Sequence, residues 1–242
     1  MTSTLLISVI IVAWNSKPHL SCCLSALSKQ TLQDFEVILE DNGSTDNSIS
    51  DLEFDWRYLH LIVKRLNKNL GFAVANNIGA RLARGKWLAL LNADAFPEPD
   101  WLEQLLRFAC HQTDYNFFSS KQTQYDLPHL LDGAGDSYHI GGIAWRRYYN
   151  KLTENNGNHV EEVFSACPAA ALYSREEFLK IGGFDEDYFS YFEDVDLGFR
   201  LRLQGQKCLY VPAAIVHHVG SASTGKRSDF SVHYGYRNMI WT

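Results

Sequence analysis

The chain lacks the features that mark secreted, membrane-spanning or nucleic-acid-binding proteins. Its 242 residues carry 22 Lys and Arg against 28 Asp and Glu, a formal charge of -6. The basic surface on which non-specific nucleic-acid binding rests is therefore missing. Five cysteines (Cys22, Cys23, Cys110, Cys167 and Cys208) contain no CxxC pair and leave one over in any pairing. They read as reduced packing thiols of a cytoplasmic protein, not as a disulfide framework. The apolar run at residues 5–14 has no basic segment before it, and it is about half of the ~20 residues needed to cross a bilayer. There is no GxGxxG after the first strand and no GxxxxGK[ST] anywhere, so the phosphate cradles of dinucleotide and P-loop sites are absent. Internal repeats and low-complexity tracts are absent too. With a hydrophobic content of 46%, what remains is one globular unit with a real core.

Apolar patterning then predicts its layout. Residues 5–12 read as a buried strand, 18–28 as a helix, 35–40 as a second strand, and 59–64 as a third. A helix over 73–84 is closed by Gly85, a strand covers 87–91, and 100–111 is helical. This alternation predicts an α/β fold with a mostly parallel, doubly wound sheet, helices on both faces and ligands at the carboxyl ends of the strands. From about 115 to 162 the pattern weakens to loops and short irregular elements. It includes the scattered Asp132-Gly133-Ala134-Gly135-Asp136 and the aromatic, basic Trp145-Arg146-Arg147-Tyr148-Tyr149. Regular patterning returns with 164–174, helices at 176–181 and 195–204, a strand at 207–211, and a helix at 234–242 that reads as cut off in mid-pattern.

Three polar constellations sit where such a sheet binds ligands. Asp41 and Asp94 each follow an apolar strand, where a carboxylate can accept from a ribose hydroxyl or hold a divalent cation; an Asx-turn would use the same residue. Glu193-Asp194-Val195-Asp196 opens a helix behind an aromatic run. Acids there satisfy the helix dipole, yet the adjacent Glu193 and Asp194 exceed what capping requires, and one can serve as a general base. His217-His218 precedes a Gly/Ser loop ending in Lys226-Arg227. One imidazole with a carboxylate and diphosphate oxygens would make a Mg2+ or Mn2+ site, with Lys226 or Arg227 covering the phosphates. In an acidic chain a diphosphate ligand calls for such a cation.

With these residues in place, the sequence closely resembles the family 2 glycosyltransferases of the A-type fold, in particular their bacterial rhamnosyltransferase-like branch. The resemblance runs nearly the whole length. It is carried by Val9-Ile10-Ile11-Val12-Ala13-Trp14-Asn15, Glu40-Asp41-Asn42-Gly43-Ser44-Thr45-Asp46, Asn69-Leu70-Gly71-Phe72-Ala73 with Asn76-Asn77, and Leu91-Asn92-Ala93-Asp94. Gly182-Gly183-Phe184-Asp185-Glu186, Phe192-Glu193-Asp194-Val195-Asp196, His218-x-Gly220 and Tyr236-Arg237-Asn238 complete it. It implies a single catalytic domain over 1–242, with a nucleotide-sugar half at about 1–112 and an acceptor half at about 113–242.

By the same resemblance Asp41 contacts the base or ribose of the donor, with Asn15 nearby. Asn69, Gly71 and Asn76 belong to a donor-binding segment. Asn92, Ala93 and Asp94 stand for the family's Asp-x-Asp element, with Asp94 the metal acid. His218 is a second metal or diphosphate contact, favoured over His217 by the Gly two residues on and the Ser five residues on. Asp194 is the catalytic base and Glu193 orients the acceptor or the base. Two positions depart from the pattern: Asn92 stands where an acid is frequent, and Pro168 where a small Gly is expected on the acceptor wall.

The implied reaction is inverting transfer from a dTDP-sugar, L-rhamnose foremost, or from a UDP-hexose, to a saccharide or polyprenyl-linked saccharide. The enzyme would be cytoplasmic or peripheral at the inner membrane face, with residues 145–149 as an acceptor-facing or membrane-facing patch. A sugar nucleotidyltransferase and a non-catalytic saccharide-binding module on the same fold are the alternatives.

Overall fold

The structure is a computed structural model that describes residues 5–50, 52, 59–220 and 228–242. In chain order its elements are β1 (Ile7–Ala13), α1 (Lys17–Leu27), β2 (Phe35–Asp41), β3 (Leu61–Arg65), α2 (Phe72–Leu82), β4 (Trp87–Leu91), β5 (Ala95–Pro97), α3 (Trp101–His111) and β6 (Phe117–Gln124). There follow β7 (Leu131–Gly133), β8 (Asp136–His139), β9 (Ile143–Arg146), β10 (Glu161–Val163), β11 (Ala170–Ser174), α4 (Arg175–Lys180), α5 (Glu193–Leu203), β12 (Cys208–His218) and α6 (Asp229–Trp241).

Ten strands form one sheet along the path β10-β12-β6-β11-β4-β1-β2-β3, with β5 on β12 and β7 on β6, while β8 and β9 make a separate hairpin. The ladders of β1 with β2, β1 with β4, β2 with β3 and β6 with β12 are parallel, and β11, β5, β7 and β10 join antiparallel. The mostly parallel α/β architecture expected from the pattern is the observed one.

The continuous apolar runs are explained by burial on both faces. Val9, Ile11, Val37, Leu39, Ala89 and Leu91 pack into one core with α1 and α3; the intervening Ile10, Ile38, Leu88 and Leu90 pack into the other with α2, α4 and α5. A strand between two helical layers has no solvent face, so it loses polar alternation. Among the described residues no helix is long and apolar enough to cross a membrane.

The structure corrects the sequence pattern in three places. The stretch expected to be loops holds β6, a strand of eight residues inside the sheet. Only Phe117 and Phe118 in it are apolar; some of its buried polar groups find partners, as where Trp101 Nε1 donates to Ser120 Oγ (2.8 Å) and Lys121 Nζ to Asn158 Oδ1 (2.7 Å), while Ser119 Oγ and Gln122 Oε1 have none among the described residues. Backbone pairing with β11 and β12 holds this polar strand in the sheet, and a hydropathy pattern cannot register that. The last strand runs on from Val211 to His218, because a bulge absorbs Pro212: Val211 opposes Ser120 and Ile215 opposes Lys121. Finally, Gly85 does not cap α2, which ends at an extended Ala83. Any Cβ at Gly85 would lie 2.5 Å from the Ser8 nitrogen, so close approach to β1 selects the glycine.

Candidate active site

A cleft of about 460 Å³ opens at the carboxyl ends of β1, β2 and β4 and is closed on the far side by the β8–β9 hairpin and the start of α5. At one end, Asn92-Ala93-Asp94 forms the turn between β4 and β5. β5 pairs with β12 so that Ala95 lies opposite His218. That register brings His218 Nε2 to 3.3 Å from Asp94 Oδ1. The other ring nitrogen, Nδ1, pairs with Asp132 Oδ2 at 2.8 Å, and Asn92 Nδ2 lies 3.3 Å from Nε2. Burial alone would depress the imidazole pKa, but hydrogen bonds to Asp132 and Asp94 outweigh it and raise it to about 9. His217 falls on the opposite face of the strand, where it pairs with Thr123 Oγ1 and Glu98 Oε1, both at 2.7 Å. Strand alternation thus separates the two histidines.

The far wall carries more acid. Arg146 donates from Nη1 to Asp132 Oδ2 (2.8 Å) and from Nη2 to Cys167 Sγ (2.9 Å). Asp136 accepts from Ser165 Oγ at 3.0 Å, and burial together with the nearby Asp194 pushes its carboxyl up to about 7. Asp194 accepts from the Val195 amide at 2.9 Å; burial raises its pKa against the opposing pull of Arg146. Glu193 is pushed well above the usual carboxylate range by burial and by Asp194, and its Oε2 has no hydrogen-bond partner among the described residues. These two acids follow a loop in which Phe189, Tyr191 and Phe192 hold left-handed φ values of 64°, 70° and 67°. Each such non-glycine residue costs on the order of 1–2 kcal/mol, a strain that persists only where the surroundings over-determine it.

A side wall between these ends holds the segments expected to take the nucleotide. Asn42 donates to Asn69 Oδ1 (3.0 Å) and to the Gly71 carbonyl (3.2 Å), tying the end of β2 to the start of α2. Asn69, Gly71, Asn92, Ala93 and Asp94 line the cleft with Glu193, Asp194 and His218. Asn15 and Asp41 do not line the cleft but adjoin the lining residues Trp14, Ser16 and Asn42: Asp41 closes a local turn by accepting from Ser44 N (3.0 Å), and Asn15 ties the end of β1 to the same segment by accepting from Thr45 N (2.9 Å). Asn76 lies inside α2, buried, with its amide on the Phe72 carbonyl at 2.9 Å. Lys226 lies outside the described residues.

Sequence reasoning singled out neither Asp132 nor Asp136, and it named Asn42, Arg146 and Cys167 only as members of a motif, a surface patch and the packing thiols; all five line the cleft. Asp132 and Asp136 stood in a Gly-rich stretch that reads as loop. Arg146 stood in the aromatic patch, of which Trp145 and Tyr149 also face the cleft, whereas Arg147 turns away to Glu161 at 2.8 Å.

The sequence profile described as Glycosyl transferase family 2 matches residues 8–182. The chain belongs to this family. An N-acetylglucosaminyl-diphospho-decaprenol L-rhamnosyltransferase of Mycobacterium tuberculosis is 30% identical, over 90% of this chain and 77% of its own length. The O-antigen biosynthesis protein RfbC of Myxococcus xanthus is 28% identical over 91% of this chain and 18% of its own. Among solved structures, GalNAc-T7 with UDP, GalNAc and Mn2+ superposes with a TM-score of 0.78 at 19% identity, covering 99% of this chain and 48% of that one. The Pyrobaculum calidifontis mannosyltransferase PcManGT with GDP-Man and Mn2+ gives 0.67 at 19%, covering 90% and 58%. These likenesses show the fold of this glycosyltransferase family member to be the A-type expected from its sequence.

Among the described residues no three His, Cys, Asp or Glu side chains converge on one point as a complete metal site. Asp94 and His218 nevertheless fit two places on one cation. Their 3.3 Å separation is close to the ~3 Å between adjacent ligands of an octahedral Mg2+ with bonds of about 2.1 Å. With Nδ1 committed to Asp132, Nε2 is the ring nitrogen turned toward Asp94 and Asn92.

Proposed function

We propose that this family 2 glycosyltransferase moves a sugar from a nucleoside diphosphate to a hydroxyl of a saccharide acceptor, with inversion, and that Asp194 is the base. The observation that carries the reading is the placement of Asp194 and Glu193 in the same cleft as Asp94 and His218. Asp94 and His218 would hold Mg2+ or Mn2+, which supplies charge to the departing diphosphate; Asn69, Gly71, Asn92 and Ala93 border the donor, and Asn15 and Asp41 shape its base and ribose end. The acceptor oxygen forms its bond to the anomeric carbon as the bond to the diphosphate oxygen breaks. Asp194 takes the hydroxyl proton, and the electron pair leaves with the diphosphate. One carboxylate suffices, because the leaving group departs as an anion and needs no proton. The raised proton affinity of Asp194 suits a group that must receive a proton near neutral pH.

Similarity to the mycobacterial enzyme supports dTDP-L-rhamnose as donor, with a UDP-hexose as the second choice, and a polyprenyl-diphosphate-linked saccharide as acceptor. A chain acting on such a lipid would work peripherally at the cytoplasmic membrane face, within one catalytic domain.

The test is thermal stabilisation by dTDP, UDP and their sugars, with and without Mn2+ or Mg2+, since a ligand of the folded state must raise apparent stability. Metal-dependent stabilisation by one base, abolished in Asp94→Ala, is the expected result. If no nucleotide stabilises the chain under any metal condition, the donor-site reading falls and a saccharide-binding role replaces it.

A further inference from the structure

The loop before α5 is strained, and it carries the acids at the cleft. Every carbonyl from Asp187 to Tyr191 accepts a hydrogen bond from outside that segment. Arg237 Nη2 donates to Asp187 O (2.8 Å) and Tyr188 O (2.9 Å). The side-chain amide of Asn238 donates to Tyr188 O (2.9 Å), Ser190 O (2.9 Å) and Tyr191 O (2.7 Å). Phe189 O takes the Phe72 and Ala73 amides at the start of α2, at 2.6 and 3.2 Å.

Asn238 is fully buried, and its own carbonyl is held by Arg237 Nε at 2.8 Å, which leaves its NH2 facing the loop. Arg237 is fixed in turn by stacking on Tyr234 and Trp241, at 4.7 and 4.2 Å from the ring centres. A buried asparagine whose amide meets three carbonyls of one loop, each of them next to a left-handed residue, does more than close the end of α6. Those carbonyls point outward because Phe189, Tyr191 and Phe192 are left-handed; without donors they would be buried and unpaired, and the loop would relax toward ordinary backbone.

We propose that Asn238, braced by Arg237, is a positioning residue for catalysis: it holds the 188–192 loop in its strained form and thereby sets the place of Asp194 relative to the acceptor. The inference rests on the reading of Asp194 as the base. Arg237 and Asn238 do not line the cleft and bear on it through this loop, whereas the pair Asp94 and His218 stands at the β4–β5 turn and on β12. Loss of the clamp is therefore expected to act on turnover and to spare the donor.

The experiment compares the wild-type chain with Asn238→Ala, Arg237→Met and Asp194→Asn. It follows nucleoside diphosphate release from dTDP-L-rhamnose, or from whichever nucleotide sugar stabilises the wild type, in the presence of N-acetylglucosaminyl diphosphoprenol. Metal-dependent thermal stabilisation by the free nucleoside diphosphate is read alongside. Displacement of a reacting group by ~1 Å costs about 10²-fold, so kcat of Asn238→Ala should fall by about that factor, with donor KM and nucleotide stabilisation kept within about two-fold. Arg237→Met, which leaves Asn238 in place, should lose about ten-fold in kcat with the same split, and it carries the test if Asn238→Ala does not fold. A folded variant with near wild-type kcat overturns the clamp, and so does one in which turnover and nucleotide stabilisation fall together. If Asp194→Asn stays fully active, the base assignment falls and this inference with it. An inactive Asp194→Asn beside an active Asn238→Ala removes the clamp alone.

Discussion

The two ends of the cleft treat their carboxylates in opposite ways. At the metal end Asp94 faces His218, and Asp132 is shared between His218 and Arg146 at 2.8 Å each. At the α5 end Glu193 has an unpartnered oxygen, Asp136 has a hydroxyl, and Asp194 has one backbone amide against the burial of all three. Acids with an imidazole or guanidinium partner thus stand at one end, and acids pushed toward the neutral form stand at the other. Environment and not residue identity separates them: partnered acids suit a cation, and acids of high proton affinity suit proton transfer.

The sharpest way to break this comparison is to remove the proton acceptor alone. Asp194→Asn is expected to lose 10²- to 10⁴-fold in transfer, the usual contribution of a positioned base, while metal-dependent nucleotide stabilisation stays as in the wild type. A loss of nucleotide binding in this variant would show that the two ends are one site and not two. The metal end is tested next through Asp132. Groups that orient a ligating histidine are typically worth about 10–100-fold in metal affinity, so Asp132→Ala should weaken Mn2+ binding by that order, as read by titration. Unchanged Mn2+ affinity would reduce Asp132 to a partner of Arg146.

The two ends also differed in how well they could be read from sequence. Asp94 and His218 follow apolar strands, so a strand-end rule finds them, although the bulge that carries β12 past Pro212 to His218 left no pattern. Asp194 stood out as one acid too many for a cap. Asp132, Asp136 and Arg146 did not, because they come together only when the β8–β9 hairpin folds over the cleft, and their local sequence is that of a loop. β6 was hidden for a related reason: after Phe117 and Phe118 its side chains are all polar, and its backbone pairing leaves no periodicity of apolar residues. The clamp by Asn238 lies in the same class, since the 47 to 50 residues between partners carry no local signal.

The contrast between partnered and unpartnered acid recurs on a smaller scale within β2, away from the chemistry. Glu36 and Glu40 lie on the same face of the strand, both fully buried. Glu36 accepts from Ser8 Oγ (2.7 Å) and from the Arg84 amide and Nε (2.8 Å each); these bonds outweigh its burial and lower its pKa. Neither oxygen of Glu40 has a hydrogen-bond partner among the described residues, and burial, only partly offset by Lys64, raises it to about 7. The linkage has a definite sign. An unfolded Glu titrates near 4.3, so between roughly pH 4.3 and 7 the folded chain holds a proton at Glu40 that the unfolded chain has lost. Stability therefore falls as pH rises through that window, whereas the contribution of Glu36 is present above the unfolded value and is lost as pH falls.

Glu193, Asp194 and Asp136 shift in the same sense as Glu40, so the informative quantity is the difference between wild type and Glu40→Gln. That difference should grow from pH 5 to pH 8 by on the order of 1 kcal/mol, or about 2–4 °C in Tm for a chain of this size. If both proteins lose stability in parallel across that range, the unpartnered acid of β2 is not what the pH change is reading, and the contrast holds only inside the cleft.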